Sequence, residues 1–224
     1  EIADPGNVKL PFDVVLERAR QGRLADAPAA STHARRHADG EAARLEFVDV
    51  HASIGDHPIL HGVQARLGRT EVVAVLGPNG SGKTTAFRTA MRLLPVTDGS
   101  ILVDGVDART RTTADLATTF GYVFQSPSQM LFARTVREEL LFGPTNLKHD
   151  PAGFGALLDD VLHRTALAEL EGILDRPPLS LSFGQQKRLA LAIALALRPP
   201  TLILDEPSAG QDHRTATAFL REVL

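Results

Sequence analysis

The sequence predicts an α/β fold in which a mainly parallel β-sheet is flanked by helices. Three observations carry this prediction. Strand and helix patterns alternate from residue 45 onward, residues 71–76 form a continuous apolar run, and two shorter strand patterns precede that run. Strands that alternate with helices favour a parallel sheet, whereas the two early strands are expected to form an antiparallel β subdomain.

The first half of the domain contains four predicted strands and one helix. Residues 45–50 alternate apolar and polar side chains, and residues 59–67 are predicted to be their antiparallel neighbour. Residues 71–76, E-V-V-A-V-L, have the composition of a strand buried on both faces. A helix is predicted at residues 83–94, where Pro95 ends it, and a short strand bounded by turn residues lies within residues 98–107.

The second half alternates in the same way. A strand is predicted at residues 120–124 and a buried strand at residues 201–204. The predicted helices, the second of which has leucines at helical spacing, are residues 133–142, 151–171, 184–197 and 212–224. The helical segments between the two strands are expected to form a helical subdomain.

The first 44 residues differ from the rest. Residues 1–24 carry a modest helical pattern, and residues 25–43 are alanine-rich with scattered charge, a composition that buries little apolar surface. We therefore predict a partly disordered N-terminal extension and linker at residues 1–44 and one domain at residues 45–224. Because the sequence begins without methionine and ends in a predicted helix, we expect a piece of a longer polypeptide, truncated at the C-terminus of the domain.

Composition excludes several classes of function. The 224 residues carry a formal net charge of −3, which gives no electrostatic argument for nucleic-acid binding. No apolar run approaches the roughly 18–20 residues of a membrane span. The absence of cysteine excludes disulfides and thiolate chemistry and fits a reducing cytosolic setting.

A glycine-rich loop between strand and helix carries the first functional motif. Residues 77–84, G-P-N-G-S-G-K-T, match G-x-x-x-x-G-K-[ST], in which backbone N–H groups and the helix N-terminus face phosphates. The lysine is expected to reach the β- and γ-phosphates of a nucleoside triphosphate, and the hydroxyl of Thr84 to bind Mg²⁺. A glycine turn with a chance lysine is the weaker alternative, and the loop alone does not separate the classes of phosphate-loop proteins. The residues expected to bind the nucleotide are Gly77, Pro78, Asn79, Gly80, Ser81, Gly82, Lys83, Thr84 and Thr85.

Two acids follow the last predicted strand. Asp205 and Glu206 lie at its C-terminal end, where ligands of parallel sheets collect. Asp205 is the expected Mg²⁺ acid, and Glu206 is the candidate that polarises the attacking water. Taken alone, the pair could equally be a polar strand-end turn; after a phosphate loop, the catalytic interpretation is favoured.

Residues 181–185, L-S-F-G-Q, resemble the L-S-G-G-Q signature of ATP-binding-cassette (ABC) ATPases, with Phe183 in place of the first glycine. The resemblance covers roughly residues 45–224. It implies that Ser182, Phe183, Gly184 and Gln185 contact the ATP held by an opposite domain. Ser182 also fits a local role as the N-cap of its own helix.

Further elements of the family fall in order. Gln125 matches the Q-loop glutamine, which is implied to approach Mg²⁺ and the attacking water, although a lone glutamine after a strand is usually solvent-exposed. Residues 208–212, S-A-G-Q-D, match the D-loop. Residues 125–136 and 142–146 resemble the energy-coupling-factor and cobalt/nickel importer ATPases, whose usual form is close to Q-x-P-x-x-Q-L-F-x-x-T-V and then F-G-P-x-N.

The sequence departs from the family pattern in three places. No aromatic residue that could stack on adenine occurs in residues 50–60, where Ile54 or His57 occupies the region. The family's switch histidine normally lies some tens of residues beyond the two acids, past the end of this sequence, so it is not assigned. His213 directly follows the D-loop and is expected to be a solvated residue at the start of a helix. Phe183 adds bulk at the signature. The remaining histidines show no metal-ligand spacing, including His33 and His37, which are four residues apart.

The resemblance implies the ATP-hydrolysing component of an energy-coupling-factor importer that takes up a micronutrient, either a vitamin or a transition-metal ion. It implies ATP and Mg²⁺ as cofactors and a location at the cytoplasmic face of the cell membrane. The expected partners are a second ABC ATPase domain, a transmembrane coupling protein and a substrate-binding membrane subunit, with no nucleic acid. The second ATPase domain could form a homodimer or a heterodimer with this one, or belong to the same polypeptide. The alternatives are a soluble ABC ATPase acting on nucleic acid or ribosomes and a non-hydrolysing partner in an asymmetric pair.

Overall fold

The computed structural model describes residues 43–207, which form six strands and five α-helices of five residues or more. The strands are β1 (Leu45–Ile54), β2 (His57–Leu67), β3 (Asp98–Val103), β4 (Val106–Asp107), β5 (Phe120–Val123) and β6 (Thr201–Leu204). The helices are α1 (Lys83–Ala90), α2 (Thr113–Ala117), α3 (Val136–Asn146), α4 (Phe154–Arg164) and α5 (Phe183–Ala196). Predictions for residues 1–42 and 208–224, including the D-loop and His213, lie outside the described residues.

The early strands form the predicted antiparallel subdomain. Its sheet has the order β2-β1-β3-β4, and the β1–β2 hairpin pairs Leu45 with Leu67 and Ile54 with His57. The predicted alternation covers residues 45–50, and β1 then continues to the exposed tip of the hairpin at Ile54 and His57. The ladder continues through β3, where Leu45 also pairs with Val103.

A two-stranded parallel sheet, β5–β6, separates two hydrophobic cores. Phe120 and Tyr122 of β5 pack into the core under the antiparallel sheet, whereas Val123 of the same strand packs into the core of the helical subdomain. Side chains of a strand alternate between its two faces, so one short strand can serve both cores. The helical core is built mainly by α3, α4 and α5.

The strand predicted at residues 71–76 is absent, and this part of the prediction is wrong. No strand within residues 43–207 pairs with this run, and its side chains lie largely exposed, from 48% for Val75 to 62% for Val72. β-propensity describes how well a residue fits a paired, half-buried surface, so an apolar run forms a strand only where a partner ladder is available. The sheets within residues 43–207 therefore contain four antiparallel strands and two parallel strands.

Most other elements agree with the prediction, with shifted ends. Helix α1 ends four residues before the predicted Leu94, because Arg92 adopts a left-handed conformation with φ of 55°. The helix predicted at residues 151–171 ends at Arg164. None of the helices in residues 43–207 has the length and apolar character that crossing a bilayer requires.

Candidate nucleotide-binding site

The phosphate loop curls directly before α1. Gly82 has φ of 90°, a conformation that side chains rarely adopt, and a Cβ at this position would lie 2.9 Å from Cδ2 of Leu60. The N–H of Ser81 donates to the carbonyl of Pro78 at 3.2 Å, which closes the turn. Because Gly82 is the N-cap, no side chain of that residue covers the first N–H groups of α1, and these groups can receive an anion.

Lys83 lies inside the curl of this loop. Its Nζ donates to the carbonyl oxygens of Gly77 at 2.9 Å and Pro78 at 3.0 Å. The same Nζ lies 3.9 Å from Oε1 of Glu206. The ammonium thus joins the phosphate loop to the acid that follows β6.

Gln125 and Glu206 meet where β5 and β6 end. The parallel register pairs Val123 with Leu204, so the residues after the two strands emerge side by side. Nε2 of Gln125 donates to Oε2 of Glu206 at 2.6 Å. Glu206 adopts φ of 49°, a conformation that costs free energy for a residue with a side chain and that is common at functional sites.

Asp205 is the buried acid of the site, with 2% exposure. The hydroxyl of Tyr122 donates to its Oδ2 at 3.1 Å, whereas its Oδ1 is buried without a hydrogen-bond partner within residues 43–207. An unsatisfied buried carboxylate oxygen is costly and commonly marks a place for a ligand or ion. Burial, followed by the charge of Asp205, raises the pKa of the Tyr122 phenol, so the hydroxyl stays a donor.

The signature residues are held by a local capping box. Ser182 is the N-cap of α5: its Oγ accepts from the N–H of Gln185 at 3.3 Å, and its own N–H donates to Oε1 of Gln185 at 2.9 Å. The local role considered for Ser182 is thus present. Ser182 and Phe183 are exposed, so the start of this helix faces outward.

The family model described as ABC transporter matches residues 60–209. The chain belongs to the ABC transporter family.

Relatives and solved structures of the ABC transporter family support the same assignment. A Pyrococcus abyssi protein named as an ABC transporter ATP-binding protein is 40% identical over 76% of this chain and 64% of its own length. The energy-coupling factor transporter ATP-binding protein of Methanoculleus marisnigri is 38% identical over 75% of this chain and 60% of its own. The chain thus spans less than two thirds of these relatives.

A solved structure gives the fold. The cbiO1 protein of Clostridium perfringens, described as part of the ABC transporter complex cbiONQ, superposes with a TM-score of 0.70 at 33% identity. The alignment covers 82% of this chain and 73% of that one. The predicted fold class, an ABC ATPase of the P-loop type, is confirmed.

The structure of this ABC transporter family chain brings some predicted site residues together and leaves others apart. Lys83, Gln125 and Glu206 converge. Thr85 is buried and Thr84 half-buried in the first turn of α1. Ile54 and His57, considered for the adenine region, pair at the exposed tip of the β1–β2 hairpin.

Two residues of this region were not predicted from sequence. Tyr122 donates to Asp205, and Nζ of Lys187 donates to the carbonyl of Pro207, directly after Glu206. A hydroxyl inside an otherwise apolar strand was the available signal for Tyr122. Lys187 gave no comparable signal, because it lies in the polar run Q-Q-K-R that precedes the leucine- and alanine-rich part of its helix.

Proposed function

We propose that the chain is the ATP-binding and ATP-hydrolysing component of an ABC importer of the energy-coupling-factor type, which powers uptake of a micronutrient through membrane subunits. The observation that carries the proposal is the convergence of Lys83, Gln125 and Glu206. A phosphate-loop lysine, a polar amide and a carboxylate within hydrogen-bonding or ion-pair distance are the groups that phosphoryl transfer to water requires.

The loop supplies charge compensation. When a triphosphate enters, the ammonium of Lys83 exchanges the carbonyls of Gly77 and Pro78 for phosphate oxygens, and the N–H groups at the start of α1 add further donors. The carbonyls released by Lys83 lie in the exposed loop and can be solvated. Binding therefore replaces an internal contact with a stronger charge-assisted one.

Glu206 is the group that handles the attacking water. Its carboxylate accepts a hydrogen bond from the water and receives a proton as the oxygen bonds to the γ-phosphorus and the bond to ADP breaks. The amide of Gln125 holds Oε2 of Glu206 and can turn its own oxygen toward the water or a metal ion. Alignment by these two residues carries most of the rate, because phosphoryl transfer needs little covalent help from protein.

The residues fit Mg²⁺. The buried Oδ1 of Asp205 has no hydrogen-bond partner within residues 43–207, and Thr84 and Gln125 add neutral oxygens, so the donor set is the oxygen-rich one that this ion prefers. Mg²⁺ keeps several waters and takes only one or two carboxylates, so a larger acidic cluster is not needed. When bound, the ion neutralises charge on the phosphates.

Two observations support the energy-coupling-factor type of importer, namely the sequence around Gln125 and the names of similar proteins. Residues 125–136 and 142–146 carry the pattern of energy-coupling-factor ATPases, and relatives from Methanoculleus marisnigri and Methanothermobacter thermautotrophicus bear that name. The cbiO1 structure, with 33% identity, supports the same subgroup. Vitamins and transition-metal ions are the substrate class that this resemblance implies, and selectivity would reside in membrane subunits.

The membrane partner would dock on the face that carries this pattern. Phe132 and Phe142 lie 65% and 52% exposed and pack edge to face with ring centroids 4.7 Å apart. Exposed aromatic pairs are typical anchors of protein–protein contacts. We place the transmembrane coupling protein here, with the chain at the cytoplasmic face and a second ABC ATPase domain opposite the signature.

The test is phosphate release from ATP by the purified protein. Glu206→Gln should retain ATP binding while turnover falls on the order of 10²-fold or more, because the amide cannot accept the proton. Lys83→Ala should lose both binding and turnover. Glu171→Gln, which neutralises an exposed carboxylate between α4 and α5, serves as the matched control and should hydrolyse ATP like the parent.

Three results would each contradict a part of the proposal. ATP hydrolysis by Glu206→Gln at near the parental rate would show that Glu206 does not accept the proton of the attacking water. Co-purification of the tagged protein with nucleic acid or ribosomes, instead of a small integral membrane protein, would contradict the importer assignment. Capture of the membrane protein by a Phe132→Ala variant would show that the docking surface does not depend on Phe132.

A further inference from the structure

Lys187 is a lysine in the interior of the molecule. It lies on α5 with 4% exposure, among buried leucine and alanine side chains of the same helix. Lysine is almost never fully buried unless its charge is paired, because the ammonium loses its hydration. Burial lowers the pKa of this ammonium, and the negative charge of Glu206 acts in the opposite direction.

The contacts of Lys187 connect two parts of the candidate site. Its Nζ donates to the carbonyl oxygen of Pro207 at 3.2 Å, and it lies 5.3 Å from the ring centroid of Phe183. Pro207 immediately follows Glu206, and Phe183 immediately follows Ser182 on the signature helix. One side chain thus bridges the end of β6 and the start of α5.

This bridge constrains the backbone next to Glu206. Its φ of 49° is unfavourable for a residue that carries a side chain, so contacts of the residues before and after Glu206 must hold this conformation. The side before it is held by β6, since the N–H of Asp205 donates to the carbonyl of Val123 at 3.0 Å. The side after it is held by the bond from Lys187 to Pro207.

A packing role alone would not require a charge here. Methionine has nearly the length of lysine and fills an apolar space without losing hydration. A carbonyl oxygen, an aromatic face and the nearby charge of Glu206 each offset part of the cost of burying the ammonium. Phe183, the departure from the signature pattern, supplies that aromatic face.

We propose that Lys187 is a positioning residue, which fixes the backbone after Glu206 so that this carboxylate faces the phosphate loop. The assignment rests on the proposed ATP hydrolysis and adds a residue to it. Lys187 acts through Glu206 and does not itself touch the phosphates. It also joins the Glu206 turn to the helix whose first residues would contact the partner's ATP.

The experiment is a double-mutant cycle on the purified protein, read as kcat and KM for ATP hydrolysis. Lys187→Met should lower kcat about tenfold or more and leave KM within about twofold, because positioning acts on the chemical step. In a Glu206→Gln background the same substitution should cost almost nothing further, since the group that it positions is already lost. Lys187→Arg, which retains a charged donor, should recover part of the kcat lost by Lys187→Met.

The matched control is Arg188→Met. Arg188 also donates from α5 to a backbone carbonyl, that of Ala166 at 3.3 Å, but in the helical subdomain and away from Glu206. It should leave kcat within about twofold of the parent. If Lys187→Met is too unstable to assay, Lys187→Gln, which keeps a neutral donor, enters the same cycle.

The outcomes separate this inference from the proposed function. A parent protein without ATPase activity defeats the proposed function. A parent that hydrolyses ATP, with Lys187→Met within about twofold of it, defeats only the role of Lys187. Full additivity of Lys187→Met with Glu206→Gln, or an equal loss in Arg188→Met, likewise shows a general structural effect and overturns the positioning role.

Discussion

At the scale of single residues, the contact between Tyr122 and Asp205 determines which oxygen of the buried acid is available. Oδ2 is taken by the phenol at 3.1 Å, which leaves Oδ1 for a ligand. The phenol can do this only while protonated. Its raised pKa, due first to burial and then to the charge of Asp205, keeps it so at every physiological pH.

This property can be measured directly, because Tyr122 is the only tyrosine of the sequence and there is no tryptophan. Titration of the native protein, followed by phenolate absorbance, should show a midpoint well above the ordinary value of about 10, which the denatured protein should show. Asp205→Asn should lower the native midpoint, since one of its causes is removed. Equal midpoints for native and denatured protein would contradict the buried contact.

The direction of this pKa shift also determines how the free energy of unfolding changes with pH. A raised pKa means that the folded protein holds the phenolic proton more tightly than the unfolded chain does. The resulting stabilisation is complete below about pH 10 and is lost as the pH rises through the folded pKa. Tyr122→Phe should therefore flatten the alkaline decline in the free energy of unfolding.

The residues of the site differ in how well sequence could predict them. Lys83, Asp205 and Glu206 follow from motif spacing, because phosphate binding constrains which residues can stand there. The juxtaposition of Gln125 and Glu206 needs the parallel register of β5 and β6, which sequence order alone does not fix. Lys187 was missed because a helical pattern gives no sign of a carbonyl twenty residues away.

At the scale of elements, the start of α3 depends on a buried carboxylate. Glu139 is 1% exposed, and its Oε2 accepts from the N–H groups of Phe132 and Ala133 at 2.8 Å each. These two donors lie in the loop before the helix, which carries the exposed Phe132. The carboxylate therefore fixes the loop on which the proposed docking surface is built.

Glu139→Ala should lower the free energy of unfolding by about 2–4 kcal/mol, because two N–H groups lose their acceptor and the buried Glu139 side chain leaves a cavity. The neighbouring Glu138 is exposed and accepts from the N–H of Arg134 at 3.1 Å. Glu138→Ala should cost only about 1 kcal/mol or less. Chemical denaturation of both variants makes the comparison, and equal losses would contradict the role of burial.

Helices and strands were predicted well where the local sequence determines where they begin and end. The capping box of Ser182 and Gln185 and the apolar run that follows fix α5 within one residue at each end. Residues 71–76 were predicted wrongly because strand formation depends on a partner, which is not a local property. The end of α1 moved because Arg92 took a left-handed conformation that glycine or asparagine would normally signal.

At the scale of the whole molecule, β5 and β6 join two cores and present Gln125 and Glu206 at their common end. Phe120 and Tyr122 face one core and Val123 the other, so the two subdomains share the element that carries Gln125. Helix α5 packs on the same sheet and is tied to Pro207 by Lys187. The signature helix and the phosphate site thus form one connected unit, although Ser182 faces outward.

Under the proposed function, a second domain would complete the centre at this outward-facing signature. Ser182→Asp tests this, because aspartate is as good an N-cap as serine but places a negative charge against an approaching γ-phosphate. The free energy of unfolding should stay within about 0.5 kcal/mol of the parent, while ATP hydrolysis should fall about tenfold or more. Had Ser182 only its local capping role, hydrolysis would be unchanged.

Mixing two inactive variants then shows whether the sites are shared. In a dimer of Ser182→Asp and Lys83→Ala chains, one site combines both defects and the other combines an intact phosphate loop with an intact signature. With random pairing, half the dimers are mixed and each holds one good site, so about a quarter of the parental rate should return. A mixture as inactive as its components would show that Ser182 and Lys83 serve the same site within one chain, and the head-to-tail arrangement would be wrong.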